Sequence, residues 1–115
     1  MKNLVFFLAL LCSSSLVAQF SYNENGSGIE TPYTTASGAA AFAMGNGATA
    51  SSNYSTAMGN GTTASGGAST AMGYGTTASG DASTAMGDYT KASGYASTAS
   101  GQGTTASGNY STALG

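Results

Sequence analysis

The sequence predicts an all-β chain wound into a thin parallel β-roll, a solenoid of fourteen-residue coils. Three observations carry that expectation. Near-identical letters recur every fourteen positions, as in STAMGNGTTASGGA from Ser55 and STAMGYGTTASG from Ser69. Three columns never vary: glycine at 45, 59, 73, 87, 101 and 115, alanine at 43, 57, 71, 85, 99 and 113, and alanine at 36, 50, 64, 78, 92 and 106. Each repeat also holds two short Thr-containing runs that end on glycine, the pattern of brief strands between tight turns.

Residues 1–18 are expected to be a secretory signal peptide. Lys2 precedes an apolar run from Leu4 to Leu11, and small residues lead to a cleavage site after Ala18. The run is well short of the ~20 residues that span a bilayer. Leu11 stands before Cys12, where a lipoprotein signal wants a small residue, so lipidation is disfavoured. Beyond Ala18 the chain has no Cys, His, Trp or Arg, and Lys91 is its only basic side chain. That composition leaves no disulfide, no zinc site and no thiol nucleophile, and it gives phosphate backbones nothing to bind. No enzyme activity, cofactor, metal or nucleic-acid partner is expected. Ser and Thr abound, but a nucleophile needs a base, and only Lys91 and four scattered carboxylates remain.

Residues 19–32 read as a flexible leader rich in Asn, Gly and Ser, with Pro32 at its boundary. The repeats then occupy residues 33–115. Fourteen is also two heptads, yet a coiled coil would need four apolar a and d positions per repeat, and this repeat supplies one Met. Its glycines, two or more per repeat, would each cost about 1 kcal/mol in a helix interior. Strands over STAMG and TTASG, joined by two-residue steps, fit instead.

Period-two alternation assigns the faces. Ser55, Ala57 and Gly59 share one face and Thr56 and Met58 the other; in the second run Thr62, Ala64 and Gly66 oppose Thr63 and Ser65. The invariant small residues suit the interior of so thin a coil, which makes Ala57, Ala64, Ala71, Ala78, Ala85 and Ala92 its expected core. Gly45, Gly59, Gly73, Gly87 and Gly101 are expected at turns. Met44, Met58, Met72, Met86 and Leu114, with Ser100 as the exception, then form an exposed apolar stripe, and such a stripe predicts an oligomer. The competing arrangement puts Met inside the roll and Ala outside.

The motif Ser55-Thr56-Ala57-Met58-Gly59, repeated at 69–73, 83–87 and 111–115 and followed by a weaker A-x-G half, resembles the head repeat of trimeric autotransporter adhesins, the YadA-like head. The similarity spans residues 33–115. It implies a left-handed roll, a homotrimer joined through the apolar motif positions, and display on a bacterial surface or outer membrane for attachment to matrix, host or neighbouring cells. Thr stands here for the family's Val and Met for its Ile, so the contact face is softer. A membrane anchor is not expected within this chain, which reads as a fragment ending mid-repeat.

If the chain binds a ligand, specificity is expected in the variable columns at the turns. These are Asn46, Asn60, Tyr74, Asp88 and Gln102 on one side, and Asn53, Gly67, Asp81, Tyr95 and Asn109 on the other, with Tyr54, Tyr89 and Tyr110 alongside. A passive spacer or fibre shaft is the alternative function. A smaller rival is an ice-binding solenoid, because Thr35/Ser37, Thr49/Ser51, Thr63/Ser65, Thr77/Ser79 and Thr105/Ser107 would form a hydroxyl ladder, interrupted by Lys91. Four G-x-G-x-x-A matches lack the helix and distal acid of a dinucleotide site and are by-products of the repeat. Asp81 and Asp88 occupy different columns, so no calcium-binding ladder forms.

Overall fold

A computed structural model describes residues 21–22, 29–31 and 33–115. The expected signal peptide, most of the leader and Pro32 lie outside the described residues. All regular structure among those described is strand, in two sheets. β1 (Ser21–Tyr22) and β2 (Ile29–Glu30) pair antiparallel, and β2 hands on to the first long strand in parallel register. From there short and long strands alternate in chain order: β3 (Thr35–Ala36), β4 (Phe42–Asn46), β5 (Thr49–Ala50), β6 (Thr56–Asn60), β7 (Thr63–Ala64), β8 (Thr70–Tyr74), β9 (Thr77–Ala78), β10 (Thr84–Asp88), β11 (Lys91–Ala92), β12 (Thr98–Gln102), β13 (Thr105–Ala106) and β14 (Thr112–Leu114). Within β3–β14 long strands stack only on long strands and short on short, always parallel and in register with the residue fourteen further on, as in Ala57↔Ala71 and Ala64↔Ala78. The result is the expected parallel β-solenoid.

The two runs of each repeat are not equivalent strands. TTASG contributes only two residues to its ladder, because the amides of Ser65 and Gly66 both donate to the Ala78 carbonyl, at 2.9 and 3.2 Å. Two donors on one acceptor bend the chain out of register there. The long strand begins one residue later than expected, at Thr56, and continues through Gly59 to Asn60.

That shift corrects the expectation for one glycine column. Gly45, Gly59, Gly73, Gly87 and Gly101 sit inside long strands rather than at turns, with φ between 113° and 125°, a region essentially reserved for glycine. A Cβ on Gly59 would overlap the carbonyl of Gly73 in the next coil, so the column is fixed twice over. The turn itself is made two residues later by Gly47, Gly61, Gly75 and Gly103, with φ of 59–67°, the glycines of the two-residue steps between the strands.

Inside the roll the alanines of both invariant columns are buried, Ala57, Ala64, Ala71, Ala78, Ala85 and Ala92 completely. Between them lie Ser55, Ser69, Ser83 and Ser97, and Thr62, Thr76 and Thr90, and among the described residues no fully buried side chain is larger than Thr. Methionine is outside: Met44 and Met58 are half-buried, and Met72 and Met86 are 37% and 38% exposed. The arrangement with Met in the interior is thereby overturned. The thinnest dimension, 12 Å, has room for two backbones and small side chains only.

Candidate binding surface

Because every coil repeats the same path, each outward position becomes a column along the roll, and the columns group into two faces and two edges. On the outer face of the long strands Met44, Met58, Met72 and Met86 lie in register, followed by Ser100 and Leu114. Leu114 is 76% exposed. This apolar stripe, broken at Ser100, is flanked by half-buried Thr56, Thr70, Thr84 and Thr98. On the outer face of the short strands Thr35, Thr49, Thr63 and Thr77 pair in a ladder, with exposed Lys91 between Thr77 and Thr105.

The first edge follows the long strands. Asn46, Asn60, Tyr74, Asp88 and Gln102, expected in a turn, are the last residues of those strands and lie in register. Next to each comes the left-handed position, glycine in four coils but Tyr33 and Tyr89 in two, with φ of 66° and 51°. Tyr89 leans back over Gly75 and meets Tyr74 edge to face, ring centroids 5.3 Å apart at 78°. Hydrogen bonding to Tyr74, the charge on that neighbour and the nearby Asp88 carboxylate all favour the neutral phenol, so the Tyr89 pKa is raised above its ordinary value. Gln102 Nε2 donates to Asp88 Oδ2 at 3.1 Å, while Asp88 Oδ1 has no partner.

The second edge follows the short strands, and here the variable column carries structural duty that the sequence reading did not give it. Asn53, Asp81 and Asn109 each turn a side-chain oxygen onto the backbone N–H fourteen residues earlier, of Ala39, Gly67 and Tyr95, at 3.0, 2.8 and 3.0 Å. Asn or Asp thus occupies every second coil, and the amide it caps belongs to the coil between. Asp81 is a staple before it is anything else. Tyr95 meets Tyr110 edge to face at 5.5 Å and 81°. Tyr54 and Tyr110 take left-handed conformations where Ala40, Ala68, Ala82 and Ala96 do the same.

The structure therefore brings Tyr74 and Tyr89 together with Asp88 and Gln102 on one edge, and sets Asp81 and Tyr95 on the other. The alternation of Asn53, Asp81 and Asn109 with Ala39, Gly67 and Tyr95 was legible as a two-coil period. The aromatic contacts were not, since a pair fifteen apart becomes adjacent only once the fourteen-residue stacking is known. Among the described residues no three His, Cys, Asp or Glu cluster to hold a metal ion, and no helix is long and apolar enough to cross a membrane.

Compared with known families, residues 36–62, 64–90 and 92–115 match the family described as YadA head domain repeat (2 copies). Their starts, 36, 64 and 92, are 28 residues apart, the same two-coil period as the Asn/Asp staples. No curated protein matches the chain.

Proposed function

The chain belongs to the YadA head repeat family, and from that premise we propose that it is the head of a trimeric, surface-displayed adhesin that attaches its cell to matrix, host or neighbouring cells. One observation carries the assembly: the methionine stripe. An interior of Ala, Ser and Thr buries little apolar surface, while Met44, Met58, Met72 and Met86 lie outside it, in register over four coils. Covering each Met would add roughly 1.5–3 kcal/mol, so association supplies what a single roll lacks. Attachment then falls to the turn edges, where side chains vary from coil to coil without disturbing either ladder. No catalytic step is assigned to the chain.

Sedimentation equilibrium tests the assembly. The expected result is a trimer, converted to monomer by Met58→Asp together with Met72→Asp; a trimer unchanged by both substitutions would refute this choice of interface. Attachment is tested by coating beads with the trimer and measuring retention on matrix-coated and cell-coated surfaces. Retention no greater than that of bare beads would leave the chain a passive spacer.

A further inference from the structure

The two edges use their polar side chains differently. On the second edge Asn53, Asp81 and Asn109 are engaged in capping backbone amides. On the first, the Asn60 amide makes no side-chain hydrogen bond and Gln102 uses one N–H on Asp88 Oδ2, while Asp88 Oδ1, also unpartnered, is enclosed rather than open to a ligand. Tyr89 stands among them in a left-handed conformation that Gly47, Gly61, Gly75 and Gly103 adopt without strain in the equivalent position. It remains 63% exposed, and Tyr74, its ring partner, is 50% exposed. Burial does not account for an aromatic ring placed where glycine serves four other coils. Backbone strain kept for a single ring-to-ring contact, with both rings left half-exposed or more, points to function.

We propose that Tyr74, Tyr89, Asp88, Gln102 and Asn60 form a binding site for a neutral, hydroxyl-rich saccharide chain, an assignment that rests on the adhesive role above and names its ligand class. Sugar C–H faces stack on exposed aromatic rings, and the hydroxyls at the ring rim require donors and acceptors beside the aromatic. This edge offers both: phenol hydroxyls, two amides and a carboxylate. Charge excludes the anionic ligands. Residues 33–115 contain one basic side chain, Lys91, which sits on the short-strand ladder, while Asp88 stands within the site. A folded protein partner needs about 800 Å² from each side, more than an edge one residue wide presents. A saccharide chain lying along the edge needs only a few residues in consecutive coils.

The test is native affinity electrophoresis of the full chain through gels containing hydroxyethyl cellulose, dextran or heparin, with sedimentation confirming equal assembly of every variant. Retardation by at least one neutral polysaccharide is expected, weakened about tenfold or more by Tyr89→Gly and by Tyr74→Ala, and unchanged by Tyr54→Ala on the opposite edge. Tyr89→Gly is also expected to melt no lower than the parent, because it restores the residue other coils use; a structural role for the ring would lower it. Retardation by heparin alone, by no polymer, or to the same degree in Tyr89→Gly would overturn the assignment. Beads that adhere to cells while no neutral polysaccharide retards the chain would overturn the saccharide and leave the adhesin. Retardation without adhesion would do the reverse.

Discussion

Replacing the buried threonines by valine is expected to stabilise the roll. Thr62, Thr76 and Thr90 are fully enclosed, stacked one coil apart, and none of their hydroxyls has a hydrogen-bond partner. A buried hydroxyl without a partner costs roughly 1–3 kcal/mol, and valine presents nearly the same shape without that penalty. Each single variant should therefore gain about 1 kcal/mol or more. The triple variant should gain about 3 kcal/mol, with some departure from additivity because the three side chains lie in adjacent coils. Thr104 provides the contrast. It occupies the same column one coil on, and its Oγ1 donates to the Ser100 carbonyl at 3.2 Å, so Thr104→Val should lose about 1 kcal/mol. The assay is urea unfolding at one fixed protein concentration, since an oligomer's apparent stability depends on it. A Thr76→Val protein less stable than the parent would refute the reasoning, by showing that these hydroxyls are paired, for instance through an enclosed water.

Two glycine substitutions should part company. Gly59→Ala puts a Cβ into the Gly73 carbonyl at φ of 123° and is expected to prevent folding or cost more than about 4 kcal/mol, whereas Gly61→Ala, with nothing within 4 Å of its Cβ, should cost about 1 kcal/mol for the left-handed conformation alone; circular dichroism melts compare them. Asp81→Ala should lower stability by about 0.5–1.5 kcal/mol by freeing the Gly67 amide, and Asp81→Asn should restore most of it, both read from the same urea titration. Tyr89 should ionise above the usual tyrosine range, and Tyr74→Phe should bring its midpoint down, followed by ultraviolet difference titration. The sign follows from the raised pKa: the neutral phenol is the favoured form in the fold. Its contribution is complete below the unfolded-state pKa and is lost as pH climbs through the folded value.

Much of the fold was legible in the sequence because a solenoid turns period into contact. Once fourteen is known, Ala57 must stack on Ala71, and the thinness of the coil decides that alanine faces inward and methionine outward. What period could not disclose is where within a coil the backbone bends. STAMG and TTASG look alike as strings of small residues and Thr. Only the shared Ala78 acceptor separates a five-residue strand from a two-residue one. The same limit misplaced the turn glycine. Gly59 and Gly61 are both glycine in nearly every coil, and what distinguishes them is the carbonyl of the next coil, close at one and absent at the other. For the candidate site the letters were visible, and their division of labour was not, since nothing in Asp81 and Asp88 as residue types says that one caps an amide while the other faces Gln102.

The steric pattern also explains why most variation falls at the edges. A column can vary only where a larger side chain meets solvent rather than the equivalent backbone of the next coil. Both buried alanine columns fail that condition, as does the glycine column at 59, where a Cβ would overlap the Gly73 carbonyl. The methionine column meets it within one chain but not in a trimer that covers the stripe. Its substitutions, Ser100 and Leu114, are no bulkier than Met, as the proposed trimer would require. That leaves the strand ends and the two turns, where Asn, Asp, Gln, Gly and Tyr replace one another at equivalent positions. A poor interior and varied edges thus follow from the same thin coil, and the edges are where the proposed recognition has the most room to vary.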